Sequence, residues 1–270
     1  MVRTELDHAS VKPPLSPGRQ VALVLGGLIA VAVIAWGGFG IYNLLTPVTT
    51  KQDQIRLPIE QAKLSVDVDS GDVTVRRGSG TEVVVDRTMR YRATEPRVVE
   101  RSSVDGIRIE ADCTGMFSWS CEVSYDITLP DGFDLDLAAS SGGLTVRDLA
   151  VQRLRHDASS GDVELVGVTG PVDLRVSSGT ITADRLTSDD VYVEASSGDV
   201  DLDFAAAPRK VVADVSSGRI EIGLPDGKYN VDVDVDSGEQ RVDVPVDTTS
   251  DRLIQARASS GDIEIVRNGR

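Results

Sequence analysis

Along most of the chain, aliphatic residues fall at every second position, and the parity of that alternation flips at a set of glycines. Aligned on Gly71, Gly142, Gly161, Gly179, Gly198, Gly218, Gly238 and Gly261, the residues seven before are Leu64, Leu135, Leu154, Val172, Val191, Val211, Val231 and Ile254. Three before stand Val68, Ala139, Ala158, Val176, Ala195, Val215, Val235 and Ala258. Two after stand Val73, Leu144, Val163, Ile181, Val200, Ile220, Gln240 and Ile263, with Gln240 the one break. Alternation with period two predicts strands with one dry face. Inward residues occupy odd offsets before the glycine and even offsets after it, so the chain must turn a corner there, and glycine tolerates the positive φ that corners use.

The residue before each of these glycines is serine: Ser70, Ser141, Ser160, Ser178, Ser197, Ser217, Ser237 and Ser260. Odd parity predicts that this serine points inward at the bend, stacks on its counterpart in the next turn and hydrogen-bonds to backbone. From Gly142 onward the glycines are 19, 18, 19, 20, 20 and 23 residues apart. One such unit has too little core to stand alone, so neighbours must stack. The expected fold is all-β, a β-solenoid or β-roll of stacked repeats of roughly 19 residues.

Outside the repeat, Val21 to Leu45 holds no charged residue. It is long enough to span a bilayer, and predicts one transmembrane helix over 21–45; a cleaved signal peptide is the competing reading, against which stand its length and the lack of a small-x-small cleavage site. Residues 1–20 are polar, contain three prolines and predict a disordered cytoplasmic tail. Residues 46–60 predict a stalk, and 61–268 an extracytoplasmic β-repeat domain. Between Gly71 and Gly142 the glycine corner disappears. Strands are expected there at Glu82–Arg90, Gly106–Ala111 and Glu122–Leu129, and 72–139 reads as irregular rungs or an antiparallel cap.

Composition sharpens this picture. The chain is 40% hydrophobic but 4% aromatic, which suits a thin aliphatic core. Its net charge is −15; the first 45 residues contribute three bases and two acids, so residues 46–270 carry −16. That balance argues against nucleic acid and against anionic lipid surfaces. The only two cysteines, Cys113 and Cys121, are expected to face each other across a hairpin as a disulfide, which fits an oxidising compartment; a pair of free or metal-binding thiols is the alternative. Met116, Phe117 and Trp119 between them predict either a partner-contacting knob or a plug for the end of the stack.

Little of the sequence points to catalysis or cofactors. His156 lies in an inward column otherwise filled by aliphatics, so it is expected buried and bonded to a corner serine. No nucleophile elbow, phosphate loop, zinc helix motif or dinucleotide fingerprint occurs. The expectation is no enzyme, no catalytic residue and no cofactor. Clusters such as Asp67, Asp69 and Asp72, or Asp232, Asp234, Asp236 and Glu239, offer oxygen ligands for calcium. Outward carboxylates two apart are also what strand alternation produces, so calcium is the lesser alternative.

The Leu129-Pro130-Asp131-Gly132 turn, the Leu-Asp-Leu alternation after it and the Ser-Ser-Gly-Asp strands, over roughly residues 120–266, resemble the bacterial putative-adhesin family, a domain of unknown function. The resemblance implies a repetitive β domain behind one membrane helix and supplies no catalytic residues. The expected role is a single-pass cell-membrane protein with cytoplasmic N-terminus, binding an envelope or cell-surface protein or polysaccharide. An envelope sensor whose residues 1–20 carry a signal inward is the second reading, and a carbohydrate-active enzyme the third.

Overall fold

A computed structural model describes residues 26–34, 36–38, 47–92, 94–113 and 120–268. The chain divides into two compact units, residues 1–47 and 48–270. In the first, residues 26–34 and 36–38 are helical. Among the described residues no helix is long and apolar enough to cross a membrane. The rest of the span expected over 21–45, and the tail expected over 1–20, lie outside the described residues.

The second unit is all strand and turn. In chain order the strands are β1 (Thr49–Pro58), β2 (Lys63–Ser70), β3 (Val73–Arg77), β4 (Glu82–Tyr91), β5 (Arg97–Ser103), β6 (Gly106–Asp112) and β7 (Glu122–Leu129). The regular stretch follows with β8 (Phe133–Ser141), β9 (Leu144–Arg147), β10 (Val151–Ser160), β11 (Val163–Val166), β12 (Val172–Ser178), β13 (Ile181–Leu186), β14 (Asp190–Ser197) and β15 (Val200–Phe204). The chain ends with β16 (Lys210–Ser217), β17 (Ile220–Leu224), β18 (Asn230–Val235), β19 (Gln240–Val242), β20 (Leu253–Ser260) and β21 (Ile263–Arg267).

These strands form two sheets with the aliphatic core between them. Sheet A runs β1-β4-β7-β3-β9-β11-β13-β15-β17-β21-β19, and sheet B runs β18-β20-β16-β14-β12-β10-β8-β2-β6-β5. Each regular rung contributes one strand to each sheet, and the two meet at a glycine corner, except between β6 and β7, where the Cys113–Cys121 disulfide stands. Rungs pair in parallel with like residues opposite: Leu154 faces Leu135 and Val172, and Ser160 faces Ser141 and Ser178. The alternation put the right residues inside: Leu64, Leu135, Leu154, Val211 and Ile254 are fully buried, as are Leu165, Ile181, Leu202 and Ile220.

One expectation needs correction. The stretch read as a stalk carries β1, which pairs antiparallel with β4 through ten residues from Thr49↔Tyr91 to Pro58↔Glu82. Its Leu57 is buried and its Ile55 packs against the same core, so the segment is held by strand pairing and by apolar side chains. The region 72–139 is both rung and cap. β6 and β7 stack in parallel on β2 and β3, whereas β4 and β5 pair antiparallel with them, and β1 and β5 are the edges.

Stack order also departs from chain order. β20 lies between β16 and β18, and β21 between β17 and β19. The last rung is therefore inserted beneath its predecessor. The residues explain why: Ile254, Ala256, Ala258, Ile263 and Ile265 are buried, while Val231, Val233 and Val235 remain half-buried and Gln240 is exposed. A rung covered on both sides keeps its inward columns apolar, with His156 of β10 the exception. The rung with Gln240 belongs at an end, where that side chain keeps its water.

Candidate functional site

The corner is the most repeated local structure in the molecule. Its glycines form a column in which each carbonyl occupies the space where the next glycine would carry a Cβ: Gly71 under Gly142, Gly142 under Gly161, and on through Gly179, Gly198, Gly218, Gly261 and Gly238. Gly161 has φ 136°, and a side chain there would overlap the carbonyl of Gly142. The glycine N–H donates across rungs to the serine carbonyl of its neighbour, as Gly161 N to Ser178 O at 3.0 Å and Gly218 N to Ser260 O at 3.0 Å. The Ser-Gly step is thus held by backbone alone.

The residue after the glycine shows a further regularity. In stack order that column reads Asp72, Gly143, Asp162, Thr180, Asp199, Arg219, Asp262, Glu239. Each aspartate accepts the N–H of the following rung: Gly143 N to Asp72 Oδ1 at 2.8 Å, Thr180 N to Asp162 at 2.8 Å, Arg219 N to Asp199 at 2.9 Å and Glu239 N to Asp262 at 2.9 Å. Aspartate at every rung would stack like charges roughly 4.8 Å apart. Aspartate at alternate rungs caps an N–H and keeps the carboxylates apart. The alternation is present in chain order as far as Arg219, and only stack order continues it by placing Asp262 before Glu239; the sequence reading passed over the column.

The corner serines correct the expectation of inward hydroxyls. Ser141, Ser160, Ser178, Ser197, Ser217, Ser237 and Ser260 are exposed, and Ser70 is half-exposed. The inward run stops at the Ala or Val three before the glycine, so the bend begins before the serine rather than at it. Along the stack, Ser70, Ser141, Ser160, Ser178, Ser197, Ser217 and Ser260 lie in register. A second file, Ser140, Ser159, Ser177, Ser196, Ser216 and Ser259, runs beside it and is also exposed. Asp69 and Asp236 close its two ends. Among the described residues, no serine side chain in either file makes a hydrogen bond within the protein; the bonds at these corners are backbone bonds and the aspartate caps. The result is a two-wide ledge of free hydroxyls along one edge of sheet B.

A groove follows the inner side of this ledge. One hollow of 330 Å³ is lined by Ser140, Ser159, Ser177 and Ser196 on one wall and by Asp157, Arg175 and Glu194 on the other. A second hollow of 280 Å³ shares Glu194 and Ser196 and continues past Asp214, Ser216, Arg257 and Ser259. Arg175 bridges Asp157 at 3.8 Å and Glu194 at 3.7 Å, and its guanidinium lies 5.2 Å over the ring of Tyr192. Oδ1 of Asp214 is shielded from water and has no hydrogen-bond partner.

His156 is buried, but its Nδ1 donates to the carbonyl of Leu137 at 3.1 Å rather than to a serine. The hydroxyls face solvent, which leaves only backbone within the core. Desolvation holds its pKa below the ordinary 6.5, so the ring is neutral and Nε2 is left without a partner. Ser159 and Ser160 lie on the wet side of the same strand, so the fold separates His156 from the hydroxyls that a nucleophilic triad would require.

At the other end of the stack, Arg87 on β4 is 9% exposed. Its Nη1 donates to both oxygens of Glu100 at 2.7 and 2.9 Å, and its Nη2 to Asp53 at 2.7 Å. Tyr125 donates to Glu100 at 3.2 Å, and burial with the neighbouring carboxylate raises its pKa, keeping the phenol protonated. This cluster ties β1, β4, β5 and β7 together, and the sequence reading did not identify it.

Cys113 and Cys121 are bonded, with Cα atoms 5.7 Å apart. They do not cross a hairpin, as expected, because β6 belongs to sheet B and β7 to sheet A. The disulfide loop stands where other rungs have Ser-Gly, and Cys113 N donates to Asp69 at 2.9 Å. Met116, Phe117 and Trp119 lie outside the described residues. Among the described residues no group of three or more His, Cys, Asp or Glu is placed to hold a metal. Asp69 and Asp72 instead accept backbone N–H groups, and Asp232 accepts from Gln255.

A family model described as Toastrack DUF4097 matches residues 50–268. No curated protein matches the chain. Among solved structures, a putative adhesin from Bacteroides fragilis is similar at 11% identity and TM-score 0.44, over 82% of this chain and 97% of that one. A putative adhesin from Parabacteroides distasonis is similar at 11% identity and TM-score 0.43, over 82% and 98%. A putative lipid binding protein from the same species is similar at 15% identity and TM-score 0.38, over 81% and 97%.

Proposed function

The chain belongs to the Toastrack DUF4097 family, and we propose that its β domain is a binding module of the cell envelope with an adhesin-like role. The observation that carries the proposal is the ledge of exposed serines. Repetition accounts for their positions, yet their hydroxyls do nothing inside the protein, so they are free to meet something outside it. The domain is held at the membrane by a single span over residues 21–45, with residues 1–20 cytoplasmic and the β domain outside. The uncharged length of that segment supports the anchor, and the disulfide supports an oxidising location. The separation of His156 from the serines supports a non-catalytic role.

The test uses the full-length protein in detergent micelles, carrying a fluorescent label, mixed with intact cells and with isolated envelope polymers. Retention on at least one surface component is expected. A protein that attaches to none of them is not an adhesin. A phosphatase fused after Arg270 should be active outside the membrane; activity only inside overturns the orientation.

A further inference from the structure

The groove beside the serine ledge has features that select one kind of ligand. It runs along the stack, across the strands of sheet B. Its floor is backbone whose N–H and C=O groups are already paired rung to rung. A peptide therefore cannot join it by adding a strand, because strand addition needs a free sheet edge. From β10 to β20 one wall repeats a hydroxyl and the other a charged group at every rung, so the chemistry recurs at roughly 4.8 Å. A matching ligand must itself repeat, with about that period, and must exchange hydrogen bonds with hydroxyls and carboxylates. A chain of pyranose sugars does so: each ring is about as long as one rung spacing and presents hydroxyls on its edges.

Charge narrows the class further. Residues 46–270 carry −16, and around Arg175 and Arg257 the groove is lined by the carboxylates of Asp67, Asp157, Glu194, Asp214, Asp234 and Asp236. Arg175 is already shared between two of them. Uronic acids and polymer phosphates would be repelled there, whereas hydroxyl, acetamido and amino groups donate to carboxylates. Resting on the binding role proposed above, we infer that this groove holds a glycan strand of neutral or amino sugars, laid along the stack with one sugar per rung.

Titration calorimetry on the full-length protein in micelles tests this, using N-acetylglucosamine and glucosamine oligomers from disaccharide to hexasaccharide, with oligogalacturonate as the acidic comparison. Affinity should rise with each added sugar in the first two series and remain weakest for the acidic one. The triple variant Ser159→Ala, Ser177→Ala, Ser196→Ala removes three central hydroxyls that make no internal bond, so it should fold. It should lose about tenfold or more in affinity, at roughly one modest hydrogen bond per site. Asp214→Asn should weaken the amino series more than the neutral one. Thr145→Ala with Thr182→Ala, on the outer face of sheet A, should change nothing. Unchanged affinity in both the serine and Asp214 variants places the sugar elsewhere and overturns the assignment. If neither neutral nor amino oligomers bind while the labelled protein still attaches to envelope, the groove assignment fails and the surface-binding role survives. If attachment is lost as well, both fall.

Discussion

The middle of the stack and its N-terminal end cover the same two aliphatic faces by different means. From β8 to β17 each rung is templated by the last. Backbone bonds join Ser-Gly steps, glycines nest without side chains, and aspartate caps alternate. At the N-terminal end the template runs out: β4 turns antiparallel, β5 and β1 finish the two sheets, and the corner is a disulfide loop. Geometry there is fixed by side chains, chiefly Arg87 with Glu100, Asp53 and Tyr125. A repeating lattice specifies itself through backbone, whereas an end needs charged and covalent ties that define one arrangement.

The sharpest break between the two mechanisms comes from the glycines. Gly161→Ala sets a Cβ against the Gly142 carbonyl at positive φ and should destabilise by at least about 3 kcal/mol, read by urea unfolding. Gly132→Ala keeps the unfavourable φ of 89° but meets nothing within 4 Å, and should cost about 1–2 kcal/mol. Equal costs would mean that the nested column is not what holds the corners.

Next in size is the cap. Arg87→Met strands the Glu100 carboxylate, which is 8% exposed, and should cost about 3 kcal/mol. Arg87 also holds Asp53 below its ordinary 3.8. That contribution is present above pH 3.8 and is lost as pH falls through the lower folded value. The acid sensitivity of the cap should therefore diminish in Arg87→Met, as followed by hydrogen exchange in β1 and β4.

Replacing both Cys113 and Cys121 by serine opens a short loop and should cost about 2.5 kcal/mol. Hydrogen exchange should rise in β6 and β7 while the rungs from β10 to β15 stay protected. Uniform loss of protection along the stack would show one cooperative unit instead of a pinned end.

The smallest effect belongs to His156 in the middle. Its folded pKa lies below 6.5, so the unfolded chain takes up a proton first. Stability is complete above pH 6.5 and declines as pH falls below it. His156→Leu restores the aliphatic column, removes the unpartnered Nε2, and should be neutral or stabilising by about 1 kcal/mol. Its thermal midpoint should no longer drop between pH 6.5 and 5.

Much of this was legible in the chain because period-two alternation reports directly which side of a strand is dry. The strands, the glycine corners and the aliphatic columns could be read from residues alone, as could the proximity of Cys113 and Cys121. The ledge and groove were only half legible. Eight serines before eight glycines marked the place, but parity assigned them the wrong side, since a bend can begin two residues before its glycine.

What the sequence could not determine is adjacency. The alternation shows that Ile254 and Ile263 are aliphatic and that Gln240 is not, but it does not say which rung lies against which. That is settled by burying the more apolar rung, and the comparison exists only between strands distant in the chain. The inserted last rung follows from it, and so does the alternation of aspartates, which continues through Asp199, Arg219, Asp262 and Glu239 only in the order that the stack imposes. The same holds for Arg87, Glu100 and Asp53, whose attraction acts through space and leaves no periodic trace along the chain.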